Sequence, residues 1–253
     1  MRLDLYLVEK GYFKTRSRAQ NEIKSGHVLV NNKIEKSSFD VSDIDKIDII
    51  NPIPYVSRGG LKLEKAIKVF NLDFKDKVVL DIGASTGGFT DCALKNGARL
   101  VYSVDVGSNQ LDESLRNNSK VISYENTNIL DTDIKDHIDY LVMDVSFVSI
   151  LHLTSAIKKY LDDNNKLICL IKPEFEAGMM NKKGVIKDPN VHLTIVTNVI
   201  NKLALEGLYV NELDYSPIKG GSGNIEYISV IETKRKARVD IKKVVLESHK
   251  MEG

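Results

Sequence analysis

No run of about 18 apolar residues occurs in this chain, so no membrane-spanning helix is expected. The start, Met1-Arg2-Leu3-Asp4, lacks the apolar core of a signal peptide, which points to a cytoplasmic protein. Cysteine is scarce. Cys92 and Cys169 stand far apart in apolar settings, neither in a Cys-x-x-Cys pair, and read as buried free thiols. His27, His137, His152, His192 and His249 show no metal-ligand spacing, so no metal is expected. An excess of one charge is also missing: a net charge of +1 over 253 residues excludes a uniformly basic protein. Any affinity for nucleic acid must then come from local patches. Internal repeats and low-complexity segments are absent. With 42% hydrophobic residues, the chain can form a main globular domain plus a small one.

Residues 1–51 read as the small module. Leu3, Leu5, Tyr6 and Val8 suggest a short helix stopped by Gly11, and a second helix runs from a Thr15 cap to Gly26. His27-Val28-Leu29-Val30, the turn residues Asn31-Asn32 and a return through Ile34 read as a hairpin, and 41–50 is another alternating stretch. The segment 52–58, entered through Asn51-Pro52-Ile53-Pro54, is a linker. From 59 to 253 the pattern changes. Apolar strands at 78–82, 100–104, 140–143, 167–171 and 227–231 alternate with helical stretches at 61–70, 88–96, 148–160 and 191–206. That alternation implies an α/β fold with a mostly parallel sheet covered by helices. The tail from 234 reads as a basic helical extension. The stretch 178–184 and Lys219-Gly220-Gly221-Ser222-Gly223 look mobile enough to fold over a substrate.

The first of these strands runs into Asp81-Ile82-Gly83-Ala84-Ser85-Thr86-Gly87-Gly88-Phe89, which opens a helix. Glycines there let the backbone approach a ligand, and the helix start offers free N–H groups. The spacing Gly83-x-x-x-Gly87 is not the dinucleotide fingerprint, and the Gly-Lys-Ser/Thr of a P-loop is absent. Asp81 would sit poorly beside a pyrophosphate and suits a ligand carrying a cationic amine. Asp105 ends the next strand, where a carboxylate can accept hydrogen bonds from ribose hydroxyls. Asn128 follows the third strand and either faces an adenine or caps a turn. This loop resembles the S-adenosylmethionine site of class I methyltransferases. The resemblance implies Asp81, Gly83, Ser85, Thr86, Gly87, Gly88, Phe89, Asp105 and Asn128 as cofactor contacts.

Lys62, Asp144, Lys172 and Glu226 each lie where such a sheet delivers side chains to one crevice. An Asn/Asp-Pro-Pro-Tyr signature of amino-methyltransferases is missing from the fourth strand's end, which holds Asp144-Val145-Ser146-Phe147. Cytosine C5 methylation needs a thiolate, and Cys169 is buried within a strand, so that chemistry is rejected. A lysine base fits deprotonation of a hydroxyl, although its reference pKa of roughly 10.4 must be overcome. Burial and a second lysine favour the neutral amine; the carboxylates oppose it. Lys172 is the expected base, oriented by Asp144 and Glu226. Lys62 either tunes it or holds a substrate phosphate.

The Lys-Asp-Lys-Glu set resembles the ribosomal RNA 2′-O-ribose methyltransferases related to RrmJ/FtsJ. With Ser57-Arg58-Gly59-Gly60-Leu61-Lys62-Leu63, Lys172-Pro173-Glu174-Phe175 and the N-terminal module, the whole chain resembles the TlyA family. Residues 1–51 are similar to an S4 RNA-binding domain, through Arg2-Leu3-Asp4, Thr15-Arg16-Ser17-Arg18-Ala19 and Ser25-Gly26-His27-Val28-Leu29-Val30-Asn31. The resemblance implies S-adenosylmethionine-dependent methylation of cytidine 2′-hydroxyls in ribosomal RNA, 23S alone or 23S and 16S, with the 50S subunit favoured. It also implies RNA contacts from Arg2, Lys14, Arg16, Arg18, Lys24 and Arg58. Two other classes stay open: a non-catalytic ribosome assembly factor, and a membrane-active haemolysin, as relatives have been described.

Overall fold

Leucines one helical turn apart start the first of two units, Met1–Arg58 and Gly59–Gly253, in the computed structural model. The structure describes residues 1–177 and 185–250. The stretch 178–184, expected to fold over a substrate, lies outside the described residues. In the first unit α1 (Leu3–Glu9) buries Leu3 and Leu7, and the chain leaves it through Gly11 at φ 77°. Helix α2 (Arg16–Lys24) begins where the Thr15 hydroxyl accepts the Arg18 N–H, and it buries Ala19 and Ile23 against α1. Strands β1 (Val28–Val30) and β2 (Lys33–Ile34) form the hairpin. Asn31 and Asn32 carry the positive φ values, 50° and 64°, that a two-residue hairpin turn demands. Of the alternating 41–50 stretch only β3 (Ile47–Ile49) is a strand, paired antiparallel to β1.

The second unit runs α3 (Gly59–Val69), β4 (Val78–Ile82), α4 (Gly88–Lys95), β5 (Leu100–Val104), α5 (Glu113–Arg116), β6 (Val121–Tyr124) and β7 (Tyr140–Met143). It continues with α6 (Thr154–Tyr160), β8 (Lys166–Ile171), α7 (Pro173–Glu176), α8 (Pro189–Leu205), β9 (Tyr209–Tyr215), β10 (Tyr227–Glu232) and α9 (Ile241–Ser248). Ser149 caps a tight 3-10 turn at Ile150–Leu153 before α6, so the helix expected over 148–160 forms in two pieces. The seven strands lie in the order β6-β5-β4-β7-β8-β10-β9. Strands β4 to β8 are parallel, and β10 runs antiparallel to both β8 and β9. Every residue of β4 is buried, as a strand covered on both faces must be.

The chain leaves β4 toward β5 and β6 on one side and returns through β7 on the other. A ligand crevice opens at the carboxyl ends of strands where the order reverses in this way. Because β10 is inverted, its first residues reach the same edge of the sheet that β7 and β8 reach with their last. The tail differs from its reading as a basic extension. Residues 234–240 are not helical, and α9 packs Val245 into the main core and buries Ser248. Among the described residues no helix is long and apolar enough to cross a membrane.

Candidate active site

Strand ends bring Lys62, Asp144, Lys172 and Glu226 into one ionic cluster. Lys62, on the first turn of α3, places Nζ 2.9 Å from Asp144 Oδ2 and 2.7 Å from Glu226 Oε2. Lys172, just past β8, places Nζ 2.6 Å from Asp144 Oδ1 and 3.9 Å from Glu226 Oε1. It also donates a hydrogen bond to Ser146 Oγ, at 3.0 Å. Lys62, Lys172 and Glu226 are 7%, 5% and 3% exposed, so these charges are desolvated and compensate one another. Burial works against the ionised form of Asp144, but the two lysines outweigh it and hold its pKa below the usual carboxylate value. Burial likewise disfavours charge on Lys62, yet Asp144 and Glu226 leave it raised, so Lys62 is firmly an ammonium.

The loop residues Lys219 to Gly223, expected to be mobile, include a hydrogen-bonded turn. Gly220 donates to Asn224 O at 2.9 Å and accepts from Gly223 N at 2.9 Å. Gly220 lies directly against Glu226, and a Cβ there would fall 2.5 Å from Oε1.

A cavity of about 440 Å³ borders the cluster at Asp144 and Ser146, and is also lined by Gly83, Ser85, Asp105 and Asn128. Gly83 has φ 77°, and a Cβ would meet Val145 Cγ1 at 2.8 Å, so glycine is needed both for the turn and for the close pass of β7. Asp105 is fixed from both oxygens, accepting Ser85 N–H and Gly107 N–H at 2.7 Å each. Each oxygen keeps a second lone pair for a ligand hydroxyl. Asn128 does cap a turn, accepting Leu130 N–H at 3.0 Å, while it also lines the cavity.

Other members of the expected cofactor set serve the fold. Asp81 is 1% exposed and does not line the cavity; Thr90 Oγ1 donates to its Oδ2 at 2.6 Å. Burial, reinforced by the Asp144 charge and partly offset by Thr90, pushes its pKa up to about 7. Its placement therefore departs from the expected amine ligand: α4 folds back and covers the carboxyl. Phe89 is 4% exposed in the core. Gly87, at φ 92°, caps α4 against Leu111 and Leu115, and Thr86 O accepts Asp112 N–H. Gly88 is buried on the first turn of α4. Cys169 is a buried free thiol pushed up to about 12 by burial, unsuited to nucleophilic work.

Sequence reasoning missed three side chains here. Ser146 was passed over as part of the motif around Asp144. Phe147 is 77% exposed at the cavity, holds φ 67°, and packs on Phe175 with centroids 5.4 Å apart. Glu176 accepts from Ser149 Oγ and, at 2.9 Å, from Ile150 N, pinning the segment after Phe147. Phe147 carries a readable signal, an aromatic two residues from a strand-end serine; Glu176 carries none.

In the first unit the arginines expected to meet RNA are engaged. Buried Asp4 receives Arg2 Nε at 3.0 Å, Arg16 Nε at 2.9 Å and Gln20 at 2.6 Å. Arg2 and Arg16 keep about half their side-chain surface, 45% and 50% exposed. Arg18 pairs with buried Glu22 at 2.6 Å and donates to the carbonyls of Ile53 and Tyr55. Glu22 also accepts Ile53 N–H at 3.1 Å. Arg18 therefore acts as a clamp on 53–55. Lys24 is exposed and Arg58 half-buried. Lys14 is hydrogen-bonded or paired within the fold. Among the described residues no group of His, Cys, Asp and Glu is placed to hold a metal.

Comparison with known proteins places the chain in a family. Residues 55–232 match the FtsJ-like methyltransferase model, and residues 1–47 match the S4 domain. The chain is 44% identical to Hemolysin A of Brachyspira hyodysenteriae, over 90% of this chain and 98% of that one. It is 36% identical to the 23S rRNA (cytidine-2′-O)-methyltransferase TlyA of Campylobacter jejuni, over 90% and 97% respectively. A solved structure of a candidate hemolysin from Streptococcus thermophilus superposes with a TM-score of 0.77 at 38% identity, covering 99% of this chain and 96% of that one.

Proposed function

The chain belongs to the FtsJ-like methyltransferase family, in the TlyA group that adds an N-terminal S4 domain, and from that membership we propose its reaction. It transfers a methyl group from S-adenosylmethionine to a cytidine 2′-hydroxyl of ribosomal RNA, with 23S RNA of the large subunit the favoured target. The observation that carries this reading is the Lys62–Asp144–Lys172–Glu226 cluster beside the 440 Å³ cavity.

The cavity suits the cofactor on its own terms: glycine at 83 lets the ligand near the backbone, and Asp105 presents fixed acceptors. Gly83, Ser85, Asp105 and Asn128 are the residues that would hold S-adenosylmethionine. When bound, it supplies an electrophilic methyl group. The protein's own part is to make the ribose oxygen nucleophilic. Lys172, after releasing its own proton to solvent, accepts the 2′-hydroxyl proton at Nζ, while Asp144 and Glu226 fix the lysines. Lys62, held as an ammonium, offsets the carboxylates and attracts the RNA backbone. Phe147 offers an exposed face on which an unpaired base can stack. The S4 unit contributes phosphate contacts, with Lys24, Arg2 and Arg16 the exposed cations. Ribosomal RNA as substrate implies a cytoplasmic site of action.

Labelled S-adenosylmethionine is incubated with unmodified bacterial 50S and 30S subunits, alongside a Lys172→Ala control. Label in a 23S ribose that disappears in the control is the expected outcome. Label on a nucleobase, or none on either subunit despite methyl-donor binding, would overturn the proposal. Dye-loaded liposomes should stay intact with the same protein.

A further inference from the structure

Of the four clustered residues only Asp144 lines the cavity; Lys172 stands behind the wall, 5% exposed. Two side chains both touch Lys172 and line the cavity, Asp144 and the uncharged Ser146. Its hydroxyl accepts a hydrogen bond from Lys172 Nζ at 3.0 Å. The remaining contacts of Nζ, 2.6 Å to Asp144 Oδ1 and 3.9 Å to Glu226 Oε1, are ion-pair separations. Asp144 Oδ1 and Ser146 Oγ are thus the two oxygens within 3.0 Å of Nζ, one a carboxylate and one a hydroxyl.

The second contact matters because one alone does not fix the rotation of the head group. A lysine head group sits on a flexible four-carbon stem and rotates freely about its last bond. The contact to Asp144 Oδ1 and the attraction of Glu226 hold the nitrogen in place, but a single close contact leaves rotation about it open. A hydrogen bond has angular preference and removes that freedom. Ser146 itself follows Asp144 by two residues at the end of β7. Its segment is pinned a few residues on by Glu176, which accepts from Ser149 Oγ and Ile150 N. The serine is thus an anchored acceptor on the cavity side of Lys172.

We propose that Ser146 is a positioning residue for Lys172, fixing the rotation of Nζ so that one of its positions points into the cavity where a substrate hydroxyl arrives. The inference rests on the reading of Lys172 as the base. Ser146 acts through Lys172 and takes no proton itself. A hydroxyl that accepts from Nζ keeps its own O–H for the cavity side.

The test compares parent, Ser146→Ala, Ser146→Thr, Lys172→Ala and the Ser146→Ala/Lys172→Ala double variant, with unmodified 50S subunits and labelled S-adenosylmethionine. Ser146→Ala should lower kcat on the order of 10–100-fold, with KM for the subunit and methyl-donor affinity changed less than about twofold. Ser146→Thr, which keeps the hydroxyl, should recover most of the loss. The double variant should be no slower than Lys172→Ala alone, since the serine has nothing left to position. An unchanged kcat in Ser146→Ala, or equal impairment in the alanine and threonine variants, would overturn the proposal. If Lys172→Ala keeps the parent rate, the base reading itself has failed, a different result from a silent Ser146→Ala beside a dead Lys172→Ala. A second measurement needs no turnover: ¹³C relaxation of the Lys172 ε-methylene, assigned by its loss in Lys172→Ala. That carbon should be rigid in the parent and mobile in Ser146→Ala; equal mobility in both would overturn the positioning role.

Discussion

Gly220 and Glu226 are packed so closely that the smallest side chain does not fit between them: a Cβ on Gly220 would stand 2.5 Å from Glu226 Oε1. The glycine is required here by space, not by a left-handed backbone. Gly220→Ala is therefore compatible with the turn but displaces the Glu226 carboxylate, which pairs with Lys62 at 2.7 Å. The expected outcome is a fall in kcat of about tenfold with methyl-donor affinity retained, read from initial rates and isothermal titration.

Asp81 gives a prediction about pH. Its folded pKa of about 7 lies above the roughly 3.9 of an unfolded aspartate, so the native state binds the proton more tightly. The stabilisation that this proton brings is fully present below about pH 4 and is lost as pH rises through about 7. Asp81→Asn keeps an acceptor for Thr90 and removes the titration. Urea unfolding between pH 5 and 8 should show the parent weakening by an amount on the order of 2–4 kcal/mol, while the variant's curve lacks this component.

Removing Lys62 should damage stability as well as turnover. It leaves Glu226, 3% exposed, with Lys172 at 3.9 Å as its remaining cation. Lys62→Met is expected to cost about 3 kcal/mol, because an uncompensated buried charge remains. Adding Glu226→Gln should restore much of that stability without restoring methyl transfer, measured by chemical denaturation and by activity side by side.

Arg18 and Lys24 should separate along different axes. Arg18 ties buried Glu22 and the carbonyls of Ile53 and Tyr55, so Arg18→Ala is expected to destabilise the first unit by about 1–3 kcal/mol. Lys24→Ala should leave melting unchanged and lower the salt slope of RNA binding by about one. A filter-binding series from 50 to 300 mM salt, beside a thermal melt, reads both.

Much of the second unit was legible because a buried parallel strand is an uninterrupted apolar run. The bounds of β4, β5 and β7 coincide with the apolar segments, and Asp144 and Lys172, which follow β7 and β8, meet in the ionic cluster. Edge strands escaped. Strand β6 is half-exposed and β9, Tyr-Val-Asn-Glu-Leu-Asp-Tyr, mixes polar residues throughout, so neither shows the buried signal. Charge was the other blind spot. Arg2, Arg16 and Arg18 look like a solvent-facing basic patch until Asp4 and Glu22, both buried in the fold, are seen to claim them. Asp81 is a similar case, since its partner Thr90 lies on α4, beyond the glycine loop.

The inversion of β10 also has a meaning in time. A chain made from its N-terminus presents β4, the glycine turn, β5 and β7 early, so every residue lining the cavity, from Ile82 to Leu153, precedes the strand that carries the fourth charge. Until β10 is made, Asp144 has two lysines and Glu226 is missing. A protein proposed to modify ribosomal RNA thus completes its charged cluster only after most of the chain has emerged from the ribosome that is synthesising it.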